Sequence, residues 1–253
     1  MSKRDDVSRL YRLPQKIDTA IRWAFVANIL AAIISLISAG VVQTYMYLAQ
    51  VLATIVYIVL EAVNNYFLWQ DAEAARSKSN IKDAFDIDLT RHVTDGYFNN
   101  RFKPSLNKYI VNSFESVYFS KCLSAGLRWK QSARALLALL VCIALFIWVE
   151  NEAFYPVIAQ AVFSSSCLLS AIAFLAYHAK LNRLFEDFYR ELISVGVTKK
   201  EQLICLLSFC IEYETIKARY NVHWKESYFL ELNEQLSKEW NEIESKISFS
   251  IQN

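Results

Sequence analysis

Apolar residues along the chain gather into four long runs. They are Trp23 to Gly40 (WAFVANILAAIISLISAG), Tyr45 to Trp69 (YMYLAQVLATIVYIVLEAVNNYFLW), Ala135 to Val149 (ALLALLVCIALFIWV) and Phe154 to Tyr177 (FYPVIAQAVFSSSCLLSAIAFLAY). A bilayer core about 30 Å thick needs about 20 apolar residues of helix, so each run reads as a membrane span. The third is short and draws on Ala133 and Arg134, with the guanidinium snorkelling to the headgroups. The short connections VVQT and ENEAF join the runs in pairs. The predicted fold is an all-α membrane protein of two transmembrane hairpins with a helical cytoplasmic domain. Its segments are an N-terminal stretch (1–22), hairpin 1 (23–69), an insert (70–132), hairpin 2 (133–177) and a helical tail (178–253).

The polar segments also read as helix. In the insert, SLNKYIVNSFESVYFSKCL has helical periodicity, with Pro104 suited to its first turn. After the fourth run a helix continues through KLNRLFEDFYRELISV to a C-cap at Gly196. Thr198 with Glu201 predicts a capping box for the next helix. The last helix buries Phe229, Leu232, Leu236, Trp240, Ile243 and Ile247, a stripe at helical spacing. Only FDIDLTRHVTDGYFNNRFKP, between hairpin 1 and the insert helix, lacks a period.

The placement of basic residues sets the orientation. All 27 Lys and Arg lie in 1–22, 69–134 and 178–253, and the two connections hold none. The positive-inside rule then puts both termini and the insert in the cytoplasm. A soluble bundle with buried hairpins is the competing reading, and it would place some basic residues in those turns. With only 4 Gly and 3 Pro, the composition favours long helices over a sandwich or barrel. A net charge of +2 gives no reason to expect DNA binding. Cys122, Cys142, Cys167, Cys205 and Cys210 have no metal-ligand spacing and read as reduced thiols. No cleavable signal peptide is expected.

Polar residues inside the runs narrow the candidates. Gln43, Gln50, Thr54, Tyr57, Glu61 and Asn65 lie along one stripe of the second run. The pore-lining candidates are Gln50, Thr54, Tyr57, Glu61 and Asn65. The stripe lines a pore or a seam between subunits, or it bridges neighbouring helices of one chain. Glu61 also has a plainer role open to it, in the headgroup region. Asn28, Ala32, Ser35 and Ala39 give the first run a small-residue face suited to close helix contact. Gln160, Ser164 and Cys167 form a shorter stripe on the fourth. Without a Gly or Pro inside the second or third run, the broken helices of a transporter are not expected.

No nucleophile, acid–base pair, phosphate loop or metal cluster stands out, so neither an enzyme nor a cofactor is predicted. His92, His178 and His223 have no ligand-spaced partners. Asp83, Asp86, Asp88 and Asp95 do not match a calcium loop and read as solvated or capping residues. The segment Arg91 to Lys103 is richer. Arg91, Arg101 and Lys103 offer cations for phosphate, Tyr97 an aromatic face, and Asn99 and Asn100 amides for a base edge. These six residues are the nucleotide-binding candidates, the alternative being an ordered turn packed on the helices. Arg76, Lys78, Lys217 and Arg219 are further cations the fold could bring near.

The layout of hairpin, insert, hairpin and tail resembles the four-transmembrane effectors associated with SMODS-type nucleotidyltransferases of bacterial antiphage defence. DGYFNN at 95–100, NSFESVYFS at 112–120, and the tail from Glu212 through Asn221 and Val222 to Leu236 and Trp240 carry the resemblance. It implies a multi-pass protein of the bacterial inner membrane that binds a cyclic nucleotide or cyclic oligonucleotide and then breaches the bilayer. Four thin spans enclose no wide pore, so the conducting form is expected to be a homo-oligomer. A constitutive channel or carrier, and a membrane scaffold that docks a cytoplasmic partner, are the alternatives.

Overall fold

The computed structural model describes residues 4–92, 94, 95, 98, 100–148, 167–220, 222, 223 and 226–249. Among them the chain is helical except for the irregular stretch between Phe85 and Leu106, short turns and a few extended contacts. Arg4–Asp5 (β1) pairs antiparallel with Thr94–Asp95 (β2), and Val197 bridges Phe249. A 3-10 turn, Val7–Tyr11, leads into α1 (Arg12–Ile37), which is followed by α2 (Val41–Val63). A π-helical turn, Asn64–Leu68, joins α2 to α3 (Trp69–Phe85). Then come α4 (Leu106–Trp148), α5 (Cys167–Tyr189) with a π-helical extension Arg190–Val195, α6 (Lys200–Tyr220) and α7 (Glu226–Glu244).

The chain divides into two compact units. Unit 1 takes Met1–Tyr11, Gln70–Arg128 and Phe174–Asn253, and unit 2 takes Arg12–Trp69 and Trp129–Ala173.

Unit 1 has an aromatic-rich core. Ile110, Val111, Phe114, Val117 and Tyr118 form the buried face of α4, spaced by three and four residues as one side of a helix must be. They meet Leu181, Leu184, Phe185 and Phe188 of α5, Leu203, Leu206, Cys210, Tyr213 and Ile216 of α6, and Leu236 and Trp240 of α7. Phe114 is central: its ring lies 5.4 Å from Phe185, 5.2 Å from Phe188 and 5.2 Å from Trp240. The tail stripe expected from sequence is buried here, with Phe229 against Phe119 at 6.2 Å and Leu232 and Ile243 partly covered.

Unit 2 is built the other way round. The face of α1 that packs on α2 holds Asn28, Ala31, Ala32 and Ser35, all buried, and α2 answers with buried Gln50 and Tyr57. Large apolar residues point outward: Trp23 is 69% exposed, Ile37 82%, Leu48 60% and Leu52 63%. In water this pattern would cost about 25 cal/mol for each Å² of uncovered apolar surface. In hydrocarbon it costs nothing, and small and polar residues are the ones expected between the helices. Two helical runs, Val7–Ser35 and Val41–Phe85, are long and apolar enough to cross a membrane. Residues 135–148 of the third expected span lie in α4. Residues 149–166, which include the ENEAF connection, Pro156, Gln160 and Ser164, lie outside the described residues.

Three local expectations need correction. The connection of hairpin 1 is Ser38–Gly40 and not VVQT, which belongs to α2. Gly40 makes it possible: its φ of 63° with ψ of −133° is open to glycine and strained for a side chain. The start of α6 is capped by Gln202 and not Glu201. Its carbonyl oxygen accepts the Thr198 and Lys199 backbone N–H groups at 2.8 and 2.9 Å, and its amide donates to the Gly196 carbonyl at 3.0 Å. Pro104 precedes α4, whose first turn is capped by the Ser105 hydroxyl accepting from the Lys108 N–H at 3.3 Å. Gly196 ends the α5 extension with a φ of 74°, as expected of a C-cap.

Candidate functional site

Two groups of residues carry candidate chemistry: the stretch 91–103 in unit 1 and the polar stripe of α2 in unit 2.

The stretch 91–103 lies between α3 and α4. Of its six candidates, Tyr97 and Asn99 lie outside the described residues. Arg91 and Lys103 have exposed side chains. Asn100 and Arg101 are engaged within the chain. The Asn100 amide donates to the Asn112 side-chain oxygen, and its own oxygen accepts the Phe102 N–H at 3.2 Å. The Arg101 guanidinium donates to the carbonyls of Glu244 and Ile247 at 3.5 and 3.1 Å, at the carboxyl end of α7. That is where a helix dipole favours a cation. The Arg101 backbone N–H donates to Glu244 Oε1 at 3.2 Å, and Phe102 packs edge-on against Phe249 at 5.5 Å. Among the described residues the stretch is anchored at Asn100–Phe102, with the Arg91 and Lys103 side chains exposed.

Beneath it lies a network that the sequence did not single out. The Asn112 amide donates to Asn80 Oδ1 at 2.9 Å and to Asp83 Oδ2 at 3.0 Å. Lys108 pairs with the same Asp83 oxygen at 3.1 Å and donates to the Asp83 carbonyl at 2.8 Å. Asp88 pairs with Lys82 at 2.6 Å. These residues join α3 to α4 and hold the two ends of the irregular stretch together. Asn112 stands at the head of NSFES, so a helical string hid a polar hub.

A second cluster ties the N-terminal turn to α3 and α6. The Tyr11 hydroxyl donates to Glu73 Oε1 at 2.9 Å, and Lys217 Nζ lies 2.7 Å from Glu73 Oε2 and 3.5 Å from Glu214. Arg76 stacks over the Tyr11 ring at 5.9 Å, and Lys217 lies 5.3 Å from the Tyr213 ring centre. Burial works to raise the Glu73 carboxyl, but the Lys217 charge, hydrogen bonds from Lys217 and Tyr11, and Arg76 together hold it below the usual carboxylate range. Burial likewise opposes the charge on Lys217, and Glu73 with its neighbours overrides it and raises the ammonium well above its ordinary value. Lys217 and Arg76 are therefore occupied with Glu73 and Tyr11. Of the remaining cations, Lys78 is exposed and Arg219 lies over its neighbour Tyr220 at 5.8 Å.

In unit 2 the stripe of α2 faces α1. Gln50 and Tyr57 are buried, while Thr54, Glu61 and Asn65 are half-buried. The Asn28 amide of α1 donates to the Thr54 hydroxyl, which donates in turn to the Gln50 carbonyl at 2.9 Å. Phe25 packs against Tyr57 at 6.3 Å. At the far end the buried residue is Asn64, which opens the π turn. Its amide donates to Asp18 Oδ1 at 2.7 Å and the Pro14 carbonyl at 3.2 Å. A straight α-helix through this point gave no signal for that turn. The buried Gln50 Nε2 and Asn28 Oδ1 have no hydrogen-bond partner among the described residues.

Among the described residues no group of three or more His, Cys, Asp or Glu could hold a metal. Ser124 and His178 are 2.8 Å apart. Burial pushes the Cys210 thiol up to about 12, far from a reactive thiolate.

Compared with protein-family models, curated proteins and solved structures, the chain matches none.

Proposed function

We propose that this chain is a membrane-embedded effector that recognises a nucleotide second messenger on its cytoplasmic side and permeabilises the bacterial inner membrane. The observation that carries the membrane reading is the inverted hairpin, with polar and small residues between α1 and α2 and large apolar residues outside. Exposed Tyr45 and Tyr66 bracket the apolar part of the second run. They are 21 residues apart, about 31 Å of helix, which matches a bilayer core with an aromatic at each interface. No Lys or Arg occurs from Trp23 to Trp69. In this reading hairpin 2 supplies the third and fourth spans, and both termini and the insert are cytoplasmic.

The seam of Asn28, Gln50 and Thr54 is the polar surface the membrane part could expose, and the unpaired Asn28 and Gln50 atoms suit water or a neighbouring protomer. A homo-oligomer in which α1 and α2 part along this seam would line a path with Gln50, Thr54, Tyr57, Glu61 and Asn65. The nucleotide side rests on the exposed cations Arg91 and Lys103 around the asparagine-rich turn, and on the resemblance to defence effectors. A ligand drives such a change only by its higher affinity for the open assembly.

The test is membrane potential in bacteria expressing the protein together with a cyclic-nucleotide synthase. Depolarisation that depends on the synthase supports the reading. Depolarisation without any synthase points to a constitutive channel, and binding of the nucleotide with no depolarisation overturns the effector reading.

A further inference from the structure

The N-terminal residues 4–11 form a strap pinned at both ends to unit 1. At one end Arg4 and Asp5 pair with Asp95 and Thr94, inside the stretch 91–103. In the middle Val7 is completely buried. At the other end the Tyr11 hydroxyl donates to Glu73 at 2.9 Å and to the Ala72 carbonyl at 3.4 Å, with Arg76 over its ring and Glu73 fixed by Lys217 at 2.7 Å. The next residue, Arg12, is the first of α1. Within the first two turns of α1, the Pro14 carbonyl and the Asp18 carboxylate accept from the Asn64 amide of the π turn that follows α2. Along the chain, β1 and then Tyr11 are the anchored residues that come directly before the first apolar helix.

We propose that residues 4–11 are a tension strap: while β1 stays paired with β2 and Tyr11 stays on Glu73, the start of α1 is held, and release of the strap frees it. The anchors differ in strength. Two residues of strand pairing hold few hydrogen bonds and are marginal alone. Tyr11 sits on a charge-assisted bond in a partly buried site, the stronger kind. The weak anchor lies within the stretch that would meet a ligand, and the strong one beside α1. A ligand that reorders residues 94 and 95 loosens the weak end first. This role for the stretch 91–103 rests on the membrane-effector reading, whereas the coupling of strap to α1 does not.

The test is backbone hydrogen exchange on the full chain in lipid nanodiscs, which needs neither ligand nor flux. Tyr11→Phe keeps the ring and removes the donor. A charge-assisted bond of this kind, at about 1.5 kcal/mol or more, corresponds to about a tenfold change in opening. The expected result is about tenfold faster exchange in residues 4–11 and, in step with it, in the first turns of α1 at residues 12–20. The reverse variant joins the weak anchor: Asp5→Cys with Thr94→Cys, opposite each other in the pairing, within disulfide reach. Oxidised, it should slow exchange in both regions, and reductant should restore the native rates. Faster exchange in 4–11 with 12–20 unchanged, or Tyr11→Phe leaving 4–11 unchanged, overturns the strap. Depolarisation measured on the same variants reports separately on the effector reading: loss of flux in the unmodified protein refutes that reading and leaves the exchange result to decide the strap.

Discussion

Glu73 and Lys217 sit in a half-buried pocket, where each charge depends on the other. The signs of their shifts fix the pH window. The Glu73 carboxyl is held low in the folded state, so its contribution to stability is present above about pH 4.3, the unfolded value, and is lost as pH falls through the lower folded value. Lys217 is raised, so its contribution is present below about pH 10.4 and is lost as pH rises through the higher folded value. Unit 1 should therefore lose stability on acidification below about pH 4 and show no step near neutrality from this pair. Thermal melts across pH 3 to 8 check this, and Glu73→Gln should flatten the acid limb. Lys217→Met should cost about 2 kcal/mol, less than a fully buried pair because Glu73 keeps Tyr11 and some solvent. The cations of the ligand stretch behave differently from one another. Arg91→Ala should weaken nucleotide binding in a titration with little change in melting temperature, because its exposed side chain holds no other part of the fold among the described residues. Arg101→Ala should also lower stability by about 1 kcal/mol, because it uncaps α7. Equal melting for both variants would contradict this placement. Sequence alone could name these cations as a class. It could not separate them, because the partners of Arg101 lie 143 and more residues away.

Elements were more legible than their ends. Periodicity located the helices, since a buried face every three or four residues leaves a strong trace, as in Leu232, Leu236, Trp240 and Ile243 of α7; Ile247 is buried too, but in the turn beyond the helix end at Glu244. Turn chemistry was harder. Gln202 caps α6 from the position after the expected Glu201, and the π turn at Asn64 leaves no trace in a 3.6-residue period. Gly126 is a related case. A Cβ placed there would meet the Tyr228 hydroxyl at 2.0 Å, so this glycine of α4 admits the side chain of α7. The Tyr228 hydroxyl donates to the neighbouring Leu123 carbonyl at 3.5 Å. Alanine in a helix interior is normally worth about 1 kcal/mol over glycine. Here Gly126→Ala should instead destabilise, and Tyr228→Phe added to it should restore stability, because only the hydroxyl clashes while the ring carbon behind it would stand at 3.4 Å. The comparison to make is chemical denaturation of the single and double variants, with a more stable single variant as the contrary result.

At the scale of the whole molecule, the two units obey opposite rules. One buries aromatic residues and closes over only a few charged ones, such as Glu115, Glu244 and the Glu73–Lys217 pair, and the other buries asparagine, glutamine and serine and leaves isoleucine, leucine and valine outside. The all-helical class follows from the same composition that lacks turn residues. The four-span topology depends on hairpin 2, where residues 149–166 lie outside the described structure, and it remains part of the proposal. In the proposed function a cytoplasmic nucleotide opens this membrane part. The most direct measurement of that opening is potassium flux from liposomes carrying the purified chain, before and after cyclic oligonucleotides are added to the face that bears the termini. Little flux is expected without ligand, a rise with ligand, and a rise blunted by Gln50→Leu with Thr54→Val while nucleotide binding persists. Flux that is the same with and without every ligand, or no flux from a chain that binds one, would contradict that function.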